Sequence, residues 1–225
     1  PWSSGLQYGP HAGHPWSTQV LQCNYVGYGG SYHGILEASH EHTTMAVPAA
    51  RENELEDAQR VDFALDWLDQ LRAQPRPWFL ALGLLRPHLP FVAPQRWFDR
   101  YPLESIRLPT NDHCPWRLPH GAWKLTEIGS YDDVSKEMAT LRCNKTVSDS
   151  TARRLRQGYF ASVSHADEQL GRVLDHLRPT DAWHTTVVIM WGDHGYKLGD
   201  HGSWAKHDNG GVSTRIPLLL GVPGV

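Results

Sequence analysis

Cysteine is scarce in this chain of 225 residues, and the three present, Cys23, Cys114 and Cys143, never fall into a C-x-x-C pair. That excludes the usual zinc-site spacing, and an odd number cannot close a full set of disulfides within the chain. Blocks of one charge sign are missing as well. The 21 basic and 24 acidic residues are interspersed and leave a net charge of −3, without the basic stripe that tracks a phosphate backbone. Nucleic acid is therefore not an expected partner. No apolar run approaches the length that spans a bilayer; the longest, 78–85 and 216–222, have the length of buried strands. Neither an initiator methionine nor a signal peptide stands at Pro1, and the chain stops at Val225 directly after a strand-like run. Both edges are expected to be internal cuts in a longer protein.

With 40% hydrophobic residues, the chain is long enough to bury a sizeable core and fits one large domain or part of one. Residues 1–50 are rich in Gly, Pro, His, Ser and Tyr and hold no sustained period, so they read as a loop-rich lead-in. The core portion follows, over 51–225. Leu55, Ala58, Val61, Leu65, Leu68 and Leu71 recur at helical spacing and predict a helix over about 54–73, ended by Pro75 and Pro77. The run 78–84 predicts a strand covered on both faces, as in a parallel sheet. Seven prolines then punctuate 86–147, leaving room for short helical turns, one of them near 95–101. A second long helix is predicted over 151–177, burying Leu155, Tyr159, Val163, Ala166, Leu170, Val173 and Leu177, with Pro179 as its stop. Strands are predicted over 185–191 and 217–222. This alternation of helix and buried strand argues for an α/β domain around a mostly parallel sheet flanked by helices.

In such sheets ligands sit beyond the carboxyl ends of the strands. Two strands open there onto ionisable residues. Gly192-Asp193-His194-Gly195 follows the second predicted strand, and Arg86-Pro87-His88-Leu89-Pro90-Phe91 follows the first. Asp193 offers a hard oxygen for a divalent cation, and His194 offers a second ligand or an acid–base group. Helix capping by Asp193 with local hydrogen bonding by His194 explains the dipeptide equally well. Asn144-Lys145-Thr146 is an acceptor sequon for N-glycosylation, which belongs on the surface of a secretory-pathway protein.

The continuation of the Asp193 segment, through Tyr196-Lys197-Leu198-Gly199-Asp200-His201-Gly202-Ser203-Trp204-Ala205-Lys206, resembles the sulfatase family of the alkaline-phosphatase superfamily. The likeness continues in Ser213-Thr214-Arg215-Ile216-Pro217, in the strand 78–84 with its P-H-x-P-F turn, and in Tyr159-Phe160-Ala161-Ser162-Val163-Ser164 with Asp167, Gly171 and Leu174. A histidine after the metal aspartate points to the iduronate-2-sulfatase branch. These matches run in order from about Leu55 to the end of the chain, which is more specific than any one of them. The resemblance implies an alkaline-phosphatase-like α/β fold, incomplete at both ends, with residues 1–225 as the central part of the catalytic domain. It implies Asp193 and His194 as calcium ligands. It gives Lys206 and His88 catalytic and substrate-binding roles on the sulfate, Lys206 as a positive charge and His88 as a hydrogen-bond donor. It further implies hydrolysis of a sulfated glycosaminoglycan or oligosaccharide, such as 2-O-sulfated uronic acid in heparan or dermatan sulfate, in a lysosomal or secreted enzyme.

The family nucleophile is a formylglycine made from the cysteine or serine of C/S-x-P-x-R, and no residue of the chain stands in that motif. It is expected in sequence before Pro1, together with the remaining calcium ligands, so the chain by itself is expected to be catalytically silent. Two other readings stay open. One is a phosphodiesterase or phosphonate hydrolase of the same superfamily, working with two transition metals. The other is a sulfatase-like protein that only binds sulfated glycans. No role beyond local bonding is assigned to His201 or His207.

Overall fold

Both long helices anticipated from apolar spacing are present in the computed structural model, which describes residues 43–46, 52–114, 117, 128–139, 147–204 and 206–224. The loop-rich lead-in up to residue 42, Cys23, Cys143 and the Asn144 sequon lie outside the described residues. Helix α1, Glu56–Arg72, carries Glu56 and Asp57 in its first turn and Arg72 in its last, which suits the helix dipole at both ends. Its buried stripe is Asp57, Ala58, Val61, Ala64, Leu68 and Leu71, close to the predicted face.

Four short elements fill the proline-punctuated stretch and its flanks. Strand β1, Met45–Ala46, pairs in parallel with β2, Phe91–Val92. Helix α2, Gln95–Asp99, follows Pro94, and α3 spans Asp132–Ala139. Thr44, fully buried, ties β1 to α3. Its amide donates to Asp133 Oδ1 at 2.9 Å, and its hydroxyl donates to Oδ2 at 2.6 Å.

Helix α4, Asp149–Leu177, starts on Ser148, whose hydroxyl accepts the Thr151 amide. It packs against α1, α2 and β2. Its buried residues are Ala152, Leu155, Gly158, Ala161, Ser162, His165, Gln169 and Leu177. This corrects the predicted face, of which only Leu155 and Leu177 are buried, while Val163 is 40% exposed. Close approach explains the shift. A Cβ at Gly158 would stand 2.5 Å from the Met45 side chain and 3.0 Å from the Phe91 ring, so only small residues fit beneath that layer. The main core joins Leu89, Phe91, Ile128, Val134, Met138, Val147, Ala152, Leu155 and Trp204.

Strand β3, Val188–Trp191, pairs with β4, Leu218–Gly221, in antiparallel register, Val188 opposite Gly221 and Trp191 opposite Leu218. A parallel ladder is thus represented, among the described residues, only by the short β1–β2 pair. The run 78–84 forms no strand among the described residues, and its side chains alternate in exposure. These strands were expected to be buried, yet Phe79, Ile189, Trp191 and Leu218 to Leu220 are exposed. Val188 and Met190 are half-buried, so one face of β3 is the more covered. Among the described residues no helix is long and apolar enough to cross a membrane.

Candidate active site

Asp193 sits just beyond the carboxyl end of β3, with its side chain 75% exposed. One carboxylate oxygen, Oδ1, accepts the His194 amide at 2.9 Å. The His194 ring is oriented by its own neighbour: Nδ1 lies 2.8 Å from the Gly195 carbonyl, which can only accept, so Nδ1 carries a hydrogen. Its other nitrogen, Nε2, lies 3.4 Å from Asp193 Oδ2.

Glycine is required at the next position. A Cβ on Gly195 would lie 1.8 Å from the Val212 carbonyl oxygen and 3.0 Å from that of Arg215. The Gly195 amide donates to the Ser213 carbonyl at 2.8 Å. The loop after β3 is thereby pressed onto α5, Gly211–Thr214, which leads into β4.

His88 lies in a turn between two cis peptide bonds, Arg86–Pro87 and Leu89–Pro90. Its Nδ1 donates to the Leu89 carbonyl at 2.7 Å, which fixes the orientation of the ring. The turn is fixed from α1. Asp57, buried in that helix, accepts the Leu85 amide through Oδ1 at 2.7 Å and the Arg86 amide through Oδ2 at 2.9 Å. Sequence reasoning missed Asp57. Its only signal was an acidic residue inside an otherwise apolar stripe.

Aromatic rings join the motifs. Tyr196, in the loop after β3, stacks on Tyr159 of α4 with centroids 5.8 Å apart. Phe91, at the end of the His88 turn, meets both rings edge-on, at 5.8 Å from Tyr159 and 6.3 Å from Tyr196. Burial pushes the Tyr159 hydroxyl above its ordinary pKa. The residues that resembled a family helix thus act as the packing bridge between the two ionisable turns.

Lys206 is partly buried and stands between two anchors. Trp204, before it, is 1% exposed and belongs to the main core. Asp208, after it, pairs with Lys197 at 2.8 Å, both side chains being buried. Asp208 also accepts the Gly210 amide at 2.6 Å. Burial alone pushes the Asp208 carboxyl up, but the hydrogen bonds from Lys197 and the Gly210 amide, with the Lys197 charge, outweigh it and hold the group below the ordinary carboxylate range.

The structure therefore places Asp193 and His194 in contact, and ties the His88 and Lys206 segments to their loop through Phe91–Tyr196 and Lys197–Asp208. Among the described residues no cluster of three or more His, Cys, Asp or Glu could hold a metal ion. Asp193 and His194 fit one edge of a cation site, since the carboxylate is exposed and the imidazole Nε2 lies 3.4 Å from it. Calcium takes six to eight donors, so most of its shell would come from other groups.

The sequence model of the Sulfatase family matches residues 2–225. The chain belongs to the sulfatase family. Iduronate 2-sulfatase of Mus musculus is 39% identical over 174 residues, covering 77% of this chain and 31% of the mouse protein. Its Homo sapiens counterpart is 37% identical over 174 residues, covering 77% and 32%. This sulfatase chain thus spans about a third of the length of the curated relatives it matches. In fold it is similar to a phosphonate monoester hydrolase from Silicibacter pomeroyi, with a TM-score of 0.64 at 25% identity over 84% of this chain and 37% of that one. An α/β fold of the alkaline-phosphatase type is what these likenesses support.

Proposed function

We propose that the protein hydrolyses sulfate esters of glycosaminoglycans, with 2-O-sulfated uronic acid residues of heparan or dermatan sulfate as the substrate class. The observation that carries this reading is the open Asp193–His194 pair at the end of β3, set within a sequence that is 39% identical to mouse iduronate 2-sulfatase. Asp193 and His194 would hold calcium, which supplies positive charge against the sulfate oxygens when bound. A formylglycine would supply the nucleophile; no C/S-x-P-x-R occurs in these 225 residues, so that group is proposed to lie in other sequence.

The chain's own residues have definable tasks. Lys206 places an ammonium against the non-bridging sulfate oxygens, where charge must be held while the S–O bond breaks. His88, its ring oriented by the hydrogen bond from Nδ1 to Leu89, would donate a hydrogen bond to a sulfate or leaving-group oxygen. Cys114 is disulfide-bonded. Disulfides persist in oxidising compartments, which supports a lysosomal or secreted location together with the Asn144 sequon.

Asp193→Ala in the native protein is expected to abolish calcium-dependent hydrolysis of a chromogenic sulfate ester. Wild-type activity in that variant would refute the site assignment. The likeness to a phosphonate monoester hydrolase favours a second reading, phosphoryl or phosphonate ester hydrolysis on two transition metals. Metal analysis separates the two: one calcium per protein supports sulfate ester hydrolysis, and two zinc ions support the alternative.

A further inference from the structure

Lys197 and Asp208 take no part in the chemistry just proposed, yet both are buried, and their charged ends meet at 2.8 Å. Withdrawing two charges from water costs several kcal/mol per ion, so a pair of this kind is weak support for stability. Its location suggests another use. Lys197 follows the Asp193–Gly195 turn, and Asp208 follows Lys206. The pair thus crosslinks the segment that carries the carboxylate to the segment that carries the ammonium.

The surrounding contacts make this crosslink directional. Asp208 spends its other oxygen on the Gly210 amide at 2.6 Å. Gly210 has no room for a side chain, since a Cβ there would stand 2.7 Å from Asp208 Oδ1 and 3.2 Å from Lys197 Nζ. On the near side, Trp204 is 1% exposed, and its ring would lie 3.1 Å from a Cβ on Gly199. Lys206 is therefore carried on a short span whose two ends are pinned, by an indole in the core and by a buried ion pair. Neither pin is needed to form β3 or β4, which pair through their own backbones.

We propose that Lys197 and Asp208 are positioning residues that hold Lys206 in register with Asp193, so that both address one sulfate group. This rests on the sulfate-binding reading of Lys206 given above. Asp208 also neutralises Lys197, so the buried lysine does not compete with Lys206 for the anion.

The test is calorimetric titration of inorganic sulfate into the calcium-loaded native protein, a readout independent of turnover. Lys197→Met strands the buried Asp208 charge and lowers the melting temperature. Lys197→Met/Asp208→Asn removes both charges, keeps an acceptor for the Gly210 amide and recovers most of the lost melting temperature. A positioning role predicts that this double variant still binds sulfate about tenfold more weakly, as expected for a misplaced contact group. A purely structural role predicts that sulfate affinity returns with the melting temperature, and that result would overturn the proposal. Where Lys197→Met does not fold, the double variant alone decides. Lys206→Ala is the control. Weakened sulfate binding there, with unchanged binding in the double variant, refutes the positioning role only. Unchanged binding in Lys206→Ala refutes the reading of Lys206 itself and the proposal with it.

Discussion

His165 shows how far a single side chain can depart from its sequence neighbourhood. It lies on the buried face of α4, 1% exposed, with neither ring nitrogen hydrogen-bonded within the protein. Burial holds its pKa below the ordinary histidine value; the nearby Asp57 and Glu168 carboxylates push it up, while the Arg86 and Arg96 guanidinium groups push it down again. The sign of the consequence follows from linkage. A histidine whose folded pKa is depressed binds its proton more readily when unfolded, so folding stability is fully present above the unfolded pKa of about 6.5 and is lost as pH falls below it. The melting temperature is expected to drop between pH 7.5 and pH 5, and His165→Phe should flatten that part of the profile. A variant that keeps the full acid-side loss would show that other groups cause it.

Asp57 acts at the scale of the element. It lies on α1, but its two carboxylate oxygens terminate the backbone of the 85–86 segment and so fix where the His88 turn begins. Asp57→Ala leaves the buried Arg86 amide without an acceptor, at roughly 1–3 kcal/mol, and the half-buried Leu85 amide at less. Asp57→Asn keeps one acceptor oxygen and should cost about half as much. Calorimetric unfolding checks the order of the two variants. If the turn matters for His88, kcat/KM for a sulfate ester should fall in that same order. The sequence made both long helices legible, because apolar spacing and proline stops are local signals. The buried face of α4 was not legible, because it is built from Gly158, Ala161, Ser162 and Gln169, which no apolar period distinguishes. The place of Asp193 just beyond β3 was readable from the apolar run before it, whereas the run before His88 forms no ladder among the described residues. Asp57 and the Lys197–Asp208 pair were not, since their partners are set by tertiary packing that sequence spacing leaves unmarked.

For the whole molecule, the open strands are the feature with the largest consequence. The β3–β4 pair carries apolar side chains into solvent, with Trp191 at 62% exposure and Leu218 at 69%. Phe79, in the run 78–84, is 79% exposed. Apolar surface in adjacent strands seeks burial, and its stabilisation of roughly 25 cal/mol per Å² is forgone while it faces water. Sulfatase relatives are about three times as long as the matched segment, so they have further sequence from which such layers can be built. The chain of 225 residues, produced alone, is therefore expected to bind a hydrophobic dye strongly and to sediment as concentration-dependent oligomers. It is also expected to show no turnover of a chromogenic sulfate ester, because it holds no C/S-x-P-x-R. A monodisperse, dye-silent monomer would mean that residues outside the described set cover the strands. Turnover by that chain would mean that its own residues supply a nucleophile. Either result would require redrawing the catalytic unit around these 225 residues rather than around a longer protein.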